Sequence, residues 1–147
     1  FFCAGNLAET LGIHKISEMK GVGRRMPLTM TAFTLAALGM IGVPPIAGFI
    51  SKWYLGMGAL QSGLTWVIGV LLISTLLNAA YFLPILYTAW FDRPDTEPIA
   101  HPKTSRLLLW PPLITALLSL AAGLFAALPY TPLEWARFIV DLEFLQP

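Results

Sequence analysis

Apolar residues dominate three long stretches of the chain, and shorter polar stretches separate them. The apolar stretches cover about residues 28–60, 64–91 and 107–128, whereas Pro, Gly and charged residues collect between them. A helix needs about 20 consecutive apolar residues to cross the hydrocarbon core of a membrane. The pattern therefore predicts an all-α fold, a polytopic bundle of transmembrane helices with three spans.

The first stretch is too long for one straight span. As a continuous helix it would measure about 50 Å, against a hydrocarbon core of about 30 Å. Proline lacks a backbone N–H and clashes with the preceding turn, so a helix is expected to break at a doubled proline. We expect a discontinuous span, broken at residues 42–48, whose two half-helices cross the membrane once together. The residues of the break are Gly42, Pro44, Pro45 and Gly48. The alternative is a re-entrant hairpin that does not cross.

The beginning of the chain looks like the end of an earlier helix. Residues 1–13 are weakly apolar, and we interpret them as the tail of an incoming membrane helix. They include Glu9, whose depth and role the sequence leaves open. We therefore expect the chain to be a fragment of a longer one.

Composition supports a membrane protein and excludes several other classes. The chain is 56% hydrophobic and only 12% charged, against about 25% charged residues in soluble domains. Its net charge of +1 gives no indication of nucleic-acid binding, and its single cysteine excludes an internal disulfide. Neither a nucleotide-binding loop nor a nucleophile triad is present, and His14 and His101 lack neighbours at metal-ligand spacing. We expect no cofactor, no metal and no catalytic centre in this chain.

Basic residues are unevenly distributed between the polar turns. If the first stretch crosses, the turns at 14–27 and 92–106 lie on one side of the membrane and the tail from residue 130 on the other. The first side carries seven basic residues and the other carries only Arg137. Cytoplasmic loops are enriched in Lys and Arg, so both turns are predicted to be cytoplasmic. The seven are Lys15, Lys20, Arg24, Arg25, Arg93, Lys103 and Arg106. The hairpin alternative would remove this bias.

Lys52 is the only formally charged residue between Arg25 and Asp92. An ionisable side chain deep in a membrane costs about 3 kcal/mol or more unless it is paired or hydrated, so its presence indicates function. Burial disfavours the charged form of a lysine, and a nearby chain of water could then load and unload a proton. Lys52 is therefore a candidate for proton handling. The alternative is a lysine whose amine snorkels to the headgroups.

The second apolar stretch offers a polar stripe. Ser74, Asn78 and Tyr81 follow one another at helical spacing, so they share one face of the predicted helix. One interpretation is that they hold ordered water beside Lys52 and extend a proton path. The other is that they form hydrogen bonds between helices and only hold the bundle together.

Three segments carry a resemblance to a known family. They are residues 23–28 (GRRMPL), 42–54 (GVPPIAGFISKWY) and 77–85 (LNAAYFLPI). Together they resemble the antiporter-like subunits of respiratory complex I, a family that includes subunits of Mrp-type multisubunit cation/proton antiporters and of membrane-bound hydrogenases. The third segment looks closest to the D component of the Mrp antiporters. The resemblance extends over about residues 1–91.

The resemblance implies a longer subunit of two inverted repeats, each with one broken helix. Residues 1–147 would be its C-terminal part, a single transmembrane domain in a prokaryotic inner membrane. It also implies that Lys52 lies on a proton path and that the partners are other membrane subunits, the lipid bilayer, protons and, as a candidate ion, Na+. Reduction of quinone occurs elsewhere in such complexes, although the chain could still belong to a translocase of the NADH:quinone oxidoreductase type.

Two functions from different classes follow. The first is a proton-translocating, antiporter-like subunit of a multisubunit ion-transporting complex. The second is a structural membrane piece that packs against other subunits without transporting ions. Within the first class, the sequence does not choose between a redox-driven pump and a secondary antiporter.

Overall fold

The computed structural model describes residues 1–93, 106–126, 128 and 132–144 of the chain. Those residues contain α-helices, one 3₁₀ turn and no strand, so the predicted all-α class is confirmed. The helices are α1 (Phe2–Leu11), α2 (Val22–Arg25), α3 (Pro27–Ile41), α4 (Ala47–Gln61), α5 (Trp66–Phe91), α6 (Arg106–Leu124) and α7 (Pro132–Phe144). The 3₁₀ turn is Ile16–Glu18. His101 and most of the predicted turn 92–106 lie outside the described residues, as does part of the tail.

Two of the described helices, α5 and α6, are long and apolar enough to cross a membrane alone. None of the most apolar window of α5 is buried inside the protein, unlike the core helix of a soluble domain. Helices α3 and α4 have 15 residues each, or about 22 Å, which is too short to cross separately. The first of the three predicted spans therefore requires α3 and α4 to cross the membrane together, and it stays a prediction.

Helix α3 ends at Ile41 and helix resumes at Ala47. Gly42 follows α3 with a φ of 91°, in the left-handed region that glycine adopts without steric cost. The N–H groups of Gly42 and Val43 both donate to the carbonyl of Leu38, at 2.9 and 3.0 Å, and close the last turn of α3. The interruption covers residues 42–46, which is shorter than 42–48, because Gly48 already belongs to the first turn of α4.

Helices α3 and α4 pack one after the other along α5, in the opposite direction. Contacting residue numbers rise from the start of α2 through α3 and α4 as they fall along α5. Three such pairs are Gly21–Thr88, joined by a 3.2 Å backbone hydrogen bond, Phe33–Phe82, with ring centroids 6.4 Å apart, and Lys52–Thr75, joined by a 3.0 Å hydrogen bond. The start of α3 and the end of α4 therefore lie near opposite ends of α5.

Helix α6 packs against α3, α4 and α1 and covers the interruption. A Cβ atom at Gly123 would collide with the carbonyl oxygen of Pro45 and with the backbone of Ile46 and Ala47. A Cβ atom at Gly48 would collide in the same way with the carbonyl of Gly39. Glycine at both positions allows backbone to touch backbone, as in other membrane helix contacts.

The apolar core lies near the beginning of α3 and the end of α5. Its buried members are Leu7, Met19, Val22, Met26, Met30, Ile85 and Ala89. Beside it, the fully buried amide of Asn6 donates to the hydroxyl of Thr29 at 2.9 Å and ties α1 to α3. No pattern in the sequence indicates this polar pair.

The 3₁₀ turn before α2 is closed by a carboxylate. Glu18 accepts hydrogen bonds from the backbone N–H groups of His14 and Lys15, at 3.1 and 3.3 Å. These two bonds favour the ionised form and hold the pKa of Glu18 below its usual value. The polar stretch before the first span is therefore ordered by local hydrogen bonds.

Candidate functional site

Lys52 lies in the second turn of α4, and its side chain turns back toward the interruption. Its Nζ donates to the carbonyl oxygens of Ile41 and Met40, at 2.8 and 3.0 Å. It also donates to the hydroxyl of Thr75 on α5 at 3.0 Å. The residue is half-buried, and each of the three protons of an ammonium group has an acceptor. The amine therefore joins α3, α4 and α5 at one point.

The doubled proline explains why the two carbonyls are available. In a continuous α-helix the carbonyl of Met40 would accept from the N–H of residue 44, and that of Ile41 from residue 45. Pro44 and Pro45 occupy these positions and have no N–H. Lys52 supplies the missing donors. The negative end of the α3 dipole favours a cation at the same place.

Gly42 makes room for the lysine stem. A Cβ atom at Gly42 would lie 2.9 Å from Cδ of Lys52 and 3.3 Å from its Nζ. Its left-handed conformation and its lack of a side chain are therefore both needed here. Of the four predicted break residues, Gly42, Pro44 and Pro45 lie in the loop itself, whereas Gly48 packs α4 against α3.

A cleft of about 380 Å³ extends from Lys52 between α4 and α5. Its walls are largely apolar, and they run from Gly42 and Thr75 at one end to Leu60 and Ile68 at the other. The side chain of Lys52 brings the only formal charge to this lining. Within the described part of the chain, Lys52 has no carboxylate partner, so its neighbours are backbone oxygens and one hydroxyl.

The predicted stripe of Ser74, Asn78 and Tyr81 faces elsewhere. Ser74 and Asn78 line a separate groove on α5, together with Val70, Ile73 and Leu77. Tyr81 is 58% exposed, and among the described residues no hydrogen bond links any of the three to Lys52. The expectation that this stripe lies beside Lys52 is therefore corrected. The rotation of α5 about its axis points Thr75, the neighbour of Ser74, toward Lys52 instead.

Sequence reasoning missed Thr75. A helix rotates by about 100° per residue, so Thr75 lies on a different face from Ser74. The spacing pattern grouped three polar residues with one another and left Thr75 out. The signal that could have found it is the antiparallel alignment of α4 with α5, which places residue 75 opposite residue 52.

Metal-binding side chains do not cluster in the described ranges. No group of three or more His, Cys, Asp or Glu residues there could hold a metal ion. Glu9 is exposed on α1, and Cys3 is a buried free thiol beside Ala32 and Ala116. Lys52 and its partners are therefore the candidate site that the geometry supports.

A family model described as "NADH:quinone oxidoreductase/Mrp antiporter, TM" matches residues 1–78, which include the interruption, Lys52 and Thr75. No solved structure matches the chain.

Curated relatives include proteins of both kinds of complex. NADH-quinone oxidoreductase subunit N of Desulforudis audaxviator is 46% identical over 61% of this chain and 18% of its own length. Subunit N 1 of Solibacter usitatus is 34% identical over 75% of this chain and 23% of its own length. The D component of the Na(+)/H(+) antiporter of Bacillus subtilis is 31% identical over 96% of this chain and 27% of its own length. The identities do not single out the D component of the antiporters, and the chain spans about a quarter or less of each relative.

The sequence match includes the doubled proline, the lysine after it and the hydroxyl that the lysine reaches. The relatives are membrane subunits of two kinds of assembly, and the described helices are apolar enough for the same environment. This chain belongs to the integral-membrane family shared by NADH:quinone oxidoreductases and Mrp antiporters.

Proposed function

We propose that the chain is part of a proton-translocating, antiporter-like subunit of a multisubunit membrane complex, with Lys52 on its proton path. The observation that carries the proposal is a lysine amine held at the end of α3 by two carbonyls that prolines have freed. The cleft between α4 and α5 leads to that amine and is wide enough for water. A proton could be exchanged there between Lys52 and water.

The proposal includes the path of the chain through the membrane. Helices α3 and α4 would form one discontinuous crossing, and α5 and α6 would form the next two. Their successive packing along α5 supports this assignment. Irregular backbone at membrane depth is tolerated where protein buries it, and α6 covers the interruption. The excess of basic residues before α3 and after α5 supports a cytoplasmic location for those turns.

The proposal gives the stripe of Ser74, Asn78 and Tyr81 a role away from Lys52. On a transmembrane α5 it would stand near mid-membrane, where polar side chains are costly when they face lipid. We expect it to face another membrane segment of the complex and to continue the polar route there. Protons are the proposed ions, and Na+ is a candidate for the ion exchanged against them, as in the name of the Bacillus subtilis relative.

A structural role is the second candidate, and one observation favours it. All three N–H groups of the lysine ammonium have acceptors within the protein, so Lys52 also acts as a cap for α3. A cap of this kind holds α3, α4 and α5 together without any loss of a proton. A test must therefore distinguish a Lys52 that stays protonated from one that releases and regains its proton.

The variants Lys52→Arg and Lys52→Ala distinguish these two roles of Lys52. Arginine keeps its charge because its pKa lies above about 12, whereas alanine removes charge and donors together. The measurement is proton movement by the whole complex in sealed membrane vesicles, with a pH-sensitive dye and with assembly of the complex checked in parallel. If Lys52 cycles between its charged and neutral forms, both variants lose proton movement. Lys52→Arg should still assemble, because it keeps donors for the two carbonyls.

The control is Lys15→Ala, which removes an exposed lysine in the turn before α2 and should leave proton movement unchanged. Near-normal proton movement by Lys52→Arg would contradict the proposal and establish the structural role instead. Assembly lost in Lys52→Ala but kept in Lys52→Arg would also identify the lysine as a cap.

A further inference from the structure

The three acceptors around Lys52 are not chemically equivalent. Two are backbone carbonyls, those of Met40 and Ile41, and the third is the hydroxyl of Thr75. A carbonyl oxygen can only accept a hydrogen bond, whereas a hydroxyl can accept one or donate its own hydrogen by rotating about the C–O bond. Thr75 is therefore the one partner of the three that can reverse its role.

This difference matters when the lysine loses a proton. The ammonium form has three N–H donors and no acceptor, and it matches three acceptors. The neutral amine has two N–H donors and one lone pair. Two carbonyls can still accept from the two remaining N–H groups, but the lone pair then needs a donor. Of the three groups that hold Nζ, only Thr75 can provide it.

We propose that Thr75 is a positioning residue that holds Nζ of Lys52 in both of its protonation states, an inference that rests on the proposed function above. The hydroxyl accepts a hydrogen bond from the ammonium and donates one to the neutral amine. Thr75 keeps its own proton throughout, and the proton that leaves Lys52 passes to water in the cleft. The amine therefore stays in one place while its charge changes.

The position of Thr75 suits this role. It lies on α5, whereas both carbonyls belong to the end of α3, so its bond pulls Nζ away from α3 and toward the cleft between α4 and α5. Thr75 is half-buried and lines that cleft beside Lys52. Without the hydroxyl, a neutral amine would have only carbonyls in front of it and its lone pair would lack a protein partner.

The test compares variants that separate the hydroxyl from the shape of the side chain. Thr75→Val keeps the branched shape and removes the hydroxyl, whereas Thr75→Ser keeps the hydroxyl and removes a methyl group. We expect Thr75→Val to lower the rate of proton movement about tenfold, the scale of one hydrogen bond to a charged group. Thr75→Ser should stay within about twofold of the original protein, because the reversible partner remains.

Each comparison is made on the assembled complex in sealed vesicles, beside Lys52→Ala. Thr31→Val is the matched control, since among the described residues the exposed hydroxyl of Thr31 bonds only to the carbonyl of Pro27 in its own helix. If Thr75→Val does not assemble, Thr75→Ala removes the same hydroxyl with less bulk and decides the question.

The outcomes distinguish this inference from the proposed function. Normal proton movement in an assembled hydroxyl-free Thr75 variant, with Lys52→Ala inactive, would overturn the role of Thr75 alone. Equal losses in Thr75→Ser and Thr75→Val would also overturn it, because packing rather than the hydroxyl would then be responsible. Normal proton movement in Lys52→Ala would overturn the proposed function and this inference together.

Discussion

At the scale of single residues, the site follows from the chemistry of proline. Pro44 and Pro45 each lack an N–H, and each leaves one carbonyl of the last turn of α3 without its usual donor. Lys52 donates to both of these carbonyls. An unsatisfied backbone carbonyl in a membrane costs several kcal/mol. The two prolines therefore require the lysine, which supplies the hydrogen-bond donors that they lack.

Gly42 allows the lysine to reach these carbonyls, and Gly42→Ala tests this. The substitution forces alanine to adopt the left-handed conformation of residue 42, which costs about 1 to 2 kcal/mol. It also pushes a methyl group against the side-chain stem of Lys52. We expect a lower thermal stability of the detergent-purified complex and reduced proton movement. Gly58→Ala is the control, since a Cβ there meets nothing within 4 Å. Equal stability of both variants would contradict the close contact.

The sequence was enough to identify Lys52 but not its surroundings. A lone charge within an apolar stretch is visible in the sequence, and so is the doubled proline before it. The partner hydroxyl depends on how α5 is rotated about its own axis, and the hydropathy of α5 is too uniform to fix that rotation. Spacing alone therefore selected Ser74 and its stripe in place of Thr75.

At the scale of the helices, glycines determine how closely neighbouring elements approach. Gly123 brings α6 onto the loop between α3 and α4, and Gly48 brings α4 onto the end of α3. The small residues of α6, Ala121, Ala122 and Gly123, are visible in the sequence. Their target is not, because residues 45–47 become a surface only after α3 has ended. The bounds of α3 and α4 depend on strong local signals, whereas their packing depends on contacts distant in sequence.

Gly123→Ala tests the contact between α6 and the loop. The new methyl group would meet the backbone of Pro45, Ile46 and Ala47, which cannot move aside as a flexible side chain would. Overpacking of this kind costs about 1 to 3 kcal/mol. We expect a clear loss of thermal stability in the purified complex, and little loss for Gly69→Ala, where a Cβ meets nothing within 4 Å. A tolerated alanine at 123 would show that α6 can retreat from the loop.

At the scale of the whole molecule, the main question is which ends of the helices share a side of the membrane. The beginning of α3 and the end of α5 lie together, because α2, which directly precedes α3, contacts the end of α5. Gly21 bonds to Thr88 there, and Gly23 packs against Trp90. The end of α4 meets the start of α5 at the opposite end of the bundle. In the sequence, only the uneven distribution of basic residues indicates this arrangement. That distribution favours one side of the membrane only if the first stretch crosses it.

Cysteine labelling tests this arrangement. Ser17 and Ser62 are exposed in turns at the two ends of the bundle, and Cys3 can be replaced by Ala so that residues 1–147 carry no other thiol. We expect a membrane-impermeant thiol reagent to label Ser17→Cys and Ser62→Cys from opposite sides of intact vesicles. Permeabilised vesicles should label at both positions and serve as the control. Labelling of both from the same side would establish a re-entrant hairpin.

The backbone contacts of Gly123 and Gly48 have a consequence for how ions could move. Loops rich in Gly and Pro often serve as hinges, but this loop is clamped by backbone from α6, and α4 is pressed onto the end of α3. A segment held in this way has little freedom to rock. Transport through Lys52 would then use a rotating hydroxyl and passing water within a stationary framework, while the amine stays in place. Such movements take nanoseconds rather than the microseconds to milliseconds of helices that open and close.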